Sequence, residues 1–177
     1  MIDVIVPLEI FSNVNRELHR VVYQVELVSC TQGALIGSSG LPVVPSRCIY
    51  DRVAPVDLLL VVGSPNGVRH MSTRDEVAWI TSTAERATRL GAIGTGAALL
   101  EQARLLDDLG PPYDHSQDCD RLKLIGGANA ILITGGAVSL FPGIDAGVDL
   151  ALAITEQDCG AEVACAAARD LVVYLKC

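Results

Sequence analysis

The 177 residues, half of them apolar, are enough for one domain with a sizeable core. Only 19% are charged and 4% aromatic, so that core must come from Val, Leu, Ile and Ala, as in buried sheets flanked by helices. A net charge of −8 and a pI near 4.7 argue against nucleic-acid or anionic-membrane binding through this chain alone.

From the amino end, Ile2 to Val6 is an apolar run that reads as a short strand stopped by Pro7. Pro7 suits the first turn of a helix, expected to reach about Leu18. Val21 to Cys30 alternates apolar and polar residues and reads as a strand. A Gly/Ser-rich loop, Gly33 to Gly40, precedes a short edge strand over Leu41 to Val44, bounded by Pro42 and Pro45. Asp57 to Val62 is a continuous apolar strand that runs out into Gly63-Ser64-Pro65-Asn66-Gly67.

Thr73 and Glu76 form a capping-box pattern, and Val77, Ile80, Ala84, Ala87 and Leu90 follow at helical spacing. Leu90 to Ile93 is a buried strand that turns sharply at Gly94-Thr95-Gly96 into a helix ending near Leu106. Asp107 to Ser116 reads as a loop, 117–124 as one or two helical turns, and Gly126 to Asn129 as a turn. Ala130 to Thr134 is a strand ending at Gly135-Gly136. Two helices close the chain, Asp145 to Gln157 and Ala161 to Lys176, broken at Gly160. No repeat or interdomain linker interrupts 1–177. Strands alternating with helices predict an α/β fold with a mostly parallel sheet, whose ligands bind beyond the carboxyl ends of the strands. Gly63, Gly94 and Gly135 each end a strand and are expected together in that region.

The cysteines, Cys30, Cys48, Cys119, Cys159, Cys165 and Cys177, show neither a C-x-x-C pair nor zinc spacing. Cys30 and Cys165 lie in apolar patterns and are expected as reduced core residues. His19 and His70 lack partners at ligand spacing and read as surface residues. Neither a metal nor a cofactor is expected. The glycine loop after Val62 has no phosphate-loop lysine and no G-x-G-x-x-G spacing. Met1 to Val6 lacks the basic flank of a signal peptide, and no apolar run reaches membrane-spanning length, so a cytoplasmic location is expected.

Several segments, in this order along the chain, resemble the PfpI/ThiJ superfamily of class I glutamine-amidotransferase-like domains. Pro7-Leu8-Glu9-Ile10-Phe11 is similar to its P-x-E-x-F helix start, and Leu58 to Gly67 to its strand and glycine loop. Ala92 to Leu100 is similar to its V-C-T-G-A-x-L-L elbow, and Asp114-His115-Ser116 to its T-H-W segment. Thr134-Gly135-Gly136, Gly147 to Leu152 and Ala168 to Leu175 are similar to its T-x-G, A-G-x-D-x-A-L and A-R-x-L-V-V-Y-L segments. The nearest likeness is to the amino-terminal domain of AraC-type transcriptional regulators and to isonitrile hydratases. That resemblance implies a flavodoxin-like three-layer sandwich, a homodimer, and a small-molecule site built from Glu9, Gly63, Ser64, Gly94, Thr95, His115 and Gly135.

Three departures bear on function. Gly94 stands where the elbow cysteine is usual, Ser116 stands for tryptophan, and Val138 to Ile144 looks inserted. The family's first strand, which lies inside the sheet, is absent or reduced to Ile2–Val6, so either residues 2–6 replace it or the chain is truncated at its amino end, and the regulators continue past the last helix into two helix-turn-helix units. With no nucleophile, cysteine-dependent chemistry is not expected, and Thr95 is one residue off the apex. The resemblance therefore implies a non-catalytic sensing or dimerisation domain. The alternative is a hydratase in which Glu9 and a positioned water do the chemistry, with His115 at the pocket rim. A pseudoenzyme that takes no ligand is a third reading.

Overall fold

Two apolar strands set the frame. The computed structural model describes residues 2–37, 39–52, 54–63, 72–107, 130–135, 137–141 and 145–174. We number thirteen elements over this set: α1 (Ile2–Glu17), β1 (Val28–Ser29), β2 (Leu35–Ile36), β3 (Pro42–Val43), β4 (Arg47–Cys48), β5 (Leu58–Val62), α2 (Arg74–Ala84), β6 (Arg89–Ile93), α3 (Gly96–Gln102), β7 (Ala130–Thr134), β8 (Ala137–Phe141), α4 (Ala146–Cys159) and α5 (Ala161–Tyr174). Expectations that fall on Ser64, His70, His115, Cys119 and residues 117–129 lie outside the described residues.

The main sheet runs β5-β6-β7-β8. β5 and β6 pair in parallel, with Leu58 opposite Arg89 and Val62 opposite Ile93. The expected mostly parallel sheet does not extend further, because β7 runs antiparallel to β6 and β8 antiparallel to β7. The stretch that looked like an insertion, from Val138, is largely strand β8: a short turn at Gly135 folds it back on β7, which needs no crossover helix.

The sheet is apolar on both faces. Leu59, Val61, Ala92 and Ile131 form one cluster with Ile80, Leu100 and Leu106 on the α2 and α3 side. Ile93, Ala130 and Leu132 form a second with Ile10, Phe11 and Val14 of α1 and Leu150 and Ile154 of α4. The capping box forms as the sequence predicts: Thr73 N–H donates to Glu76 Oε2 at 2.8 Å, and Glu76 N–H donates to Thr73 Oγ1 at 3.2 Å. Gly160, at φ 89°, separates α4 from α5 at the expected place.

Two expected strands fail for one reason, namely that strand propensity is realised only where a partner strand is within reach. Ile2–Val6 is not a strand. It is the opening of α1, which passes through Pro7 and satisfies its own main chain instead. The expected strand Val21–Cys30 contracts to Val28–Ser29, paired in parallel with Arg47–Cys48, and Val21 is 77% exposed. Its first half is held by a side chain: Asn15 Oδ1 accepts from Val22 N at 2.7 Å and Tyr23 N at 2.9 Å, while Asn15 Nδ2 donates to Tyr23 O at 2.7 Å. Cys30 and Cys165 are free thiols as expected, but both are exposed, and Cys48 is the buried one.

Candidate functional site at the strand ends

Parallel pairing ends β5 and β6 at the same level, and Gly63 N–H extends the ladder by donating to Ile93 O at 3.0 Å. The chain then turns over into α3 within three residues. A Cβ at Gly63 would overlap Thr95 Oγ1 and Gly96 N, and one at Gly96 would overlap the Val61 carbonyl. Glycine at these two positions lets the α3 start sit directly on the end of β5. Gly94 differs from both. Its φ is +58°, and nothing lies within 4 Å of where a Cβ would be.

A left-handed residue between a strand and a helix, aimed into open space, is the backbone geometry that presents a nucleophile in α/β hydrolases. Here the backbone is set for a side chain and none is present. Thr95, at φ −69° and ψ 0°, caps α3 without a side-chain cap bond. Cys30 is no replacement. Although the residue is exposed as a whole, partial desolvation of its thiol first, and the neighbouring Glu76 carboxylate second, push it up to about 12, so it stays protonated near neutrality and is a poor nucleophile.

The structure brings Gly63, Gly94 and Thr95 together and separates Gly135 from them. Because β7 is antiparallel, Thr134 lies opposite Arg89, so Gly135 turns at the end of the sheet away from Gly94. Its φ of +57° serves the β7–β8 hairpin. Glu9 is exposed, and two residues advance a helix by roughly 200°, placing it across α1 from buried Pro7. Pro7 and Ile93 both approach Gly147 of α4, which joins the amino-terminal half of α1 to the elbow region. A cavity of about 20 Å³ lies beside Pro7 and Gly147, room for roughly one water. Among the described residues, no group of three or more His, Cys, Asp or Glu could hold a metal ion. No described helix is long and apolar enough to cross a membrane.

A larger opening lies elsewhere. A cavity of about 1120 Å³ lies between β5 and residues 22–28, with Trp79 of α2 and Asp158 of α4 in its lining. At its edge Arg89 grips Asp158 through two nitrogens, at 2.9 and 3.0 Å, and Tyr23 Oη donates to Asp158 Oδ2 at 2.9 Å. Burial, followed by the Asp158 hydrogen bond and charge, raises the Tyr23 phenol well above its ordinary value. One sequence signal pointed here: Leu58-Leu59-Leu60-Val61-Val62 is apolar on both faces, as an inner strand is, yet among the described residues β5 is at the edge of its sheet.

No protein-family model matches the chain, and no curated protein matches it. Solved structures do. A ThiJ/PfpI family protein from Pseudomonas syringae superposes with a TM-score of 0.70 at 16% identity, over 96% of this chain and 69% of its own. An AraC family transcriptional regulator from Pseudomonas putida gives 0.68 at 16% identity, over 94% and 90%. A protein from Vibrio parahaemolyticus described as a candidate transcriptional regulator gives 0.67 at 18% identity, over 96% and 91%. At these identities the likeness is one of fold: the chain has the α/β fold that a ThiJ/PfpI family protein shares with an AraC family regulator.

Proposed function

We propose that this chain is a non-catalytic ligand-sensing or dimerisation domain of the kind carried by AraC-type transcriptional regulators, on a flavodoxin-like three-layer scaffold in the cytoplasm. The observation that carries the reading is Gly94. Strand, positive φ and helix are in place for a nucleophile elbow, and the apex has neither oxygen nor sulfur. Without one, no covalent intermediate forms. The regulator from Pseudomonas putida among the structural neighbours supports a place in transcription control. A small polar metabolite would contact Gly63, Gly94 and Thr95, and DNA contact would come from another segment or partner. Exposed Ile36, Leu41 and Val44 around the β2–β3 hairpin support self-association into a homodimer.

A hydratase working through Glu9 has less support. Glu9 is exposed and makes no hydrogen bond or ion pair among the described residues. The test screens the unmodified chain beside Gly94→Cys on isonitrile, amide and α-oxoaldehyde substrates. The expected result is no turnover by the unmodified chain. Turnover that disappears in Glu9→Gln overturns the reading and moves Glu9 to the centre of the mechanism. Calorimetric titration with amino acids and small carboxylates, alongside sedimentation equilibrium, tests the two remaining arms. A chain that binds none of them and stays monomeric at high concentration is neither sensor nor dimerisation domain.

A further inference from the structure

We draw no further inference here: the strongest candidate, the exposed apolar face of the β2–β3 hairpin with Ile36, Leu41 and Val44, carries nothing beyond the self-association already proposed, because nothing in the structure shows what covers it.

Discussion

At Gly94 and Gly96, two residues apart, glycine is required for different reasons, and substitution should separate them. Gly94 has a positive φ and open space, so an added methyl meets only the backbone penalty, about 1–2 kcal/mol for a left-handed residue. Gly96 has an ordinary φ but would drive its methyl into the Val61 carbonyl, so β5 and α3 must move apart. Gly96→Ala should therefore lower the urea midpoint well beyond Gly94→Ala, with equal slopes, and the reverse order would contradict the packing described. Tyr23 gives a second prediction. Its phenol is raised in the folded chain by burial and by Asp158, so folding favours the protonated form. The sign follows: the stabilisation is complete below the unfolded value of about 10 and is lost as pH rises through and above it. Tyr23→Phe should cost about 1 kcal/mol near neutrality through the lost hydrogen bond, and its stability should fall less steeply between pH 9 and 11 than that of the unmodified chain. Chemical denaturation across that range measures both. The sequence flagged Gly94 through its neighbours. It could not flag Tyr23, whose partner Asp158 is 135 residues away.

Among the elements, α2 illustrates what local sequence determines. Thr73 and Glu76 satisfy two otherwise orphaned amides at its start, and the spacing alone announces this. Thr73→Ala should cost about 1 kcal/mol, read as a lower thermal midpoint with the fold retained in circular dichroism. Thr73→Asn, which can cap equally, should restore most of it. The strands β5, β6 and β7 were legible for a comparable reason: each is a short apolar run bounded by turn residues. Their directions were not. Whether β7 runs with β6 or against it is decided by the whole connection between them, and that choice moves Gly135 from the Gly94 end of the sheet to the opposite end. The candidate site lost a residue through topology, although the strand and its terminal glycine were both correctly placed in the sequence. Ile2–Val6 failed in the complementary way: its β-branched composition favours a strand, but with Ile10, Phe11 and Val14 buried on one helical stripe it is carried into α1.

For the whole molecule, charge and the β5 edge set the expectations. A chain with a net charge of −8 releases few counterions from a duplex, so in fluorescence anisotropy it should show no salt-dependent DNA binding even at low ionic strength. Binding that weakens linearly in log salt would mean a basic surface that the composition hides. The edge concerns stability. The β1–β4 pair holds two residues per strand and the main sheet four strands, so much of the apolar surface of β5 depends on one neighbour.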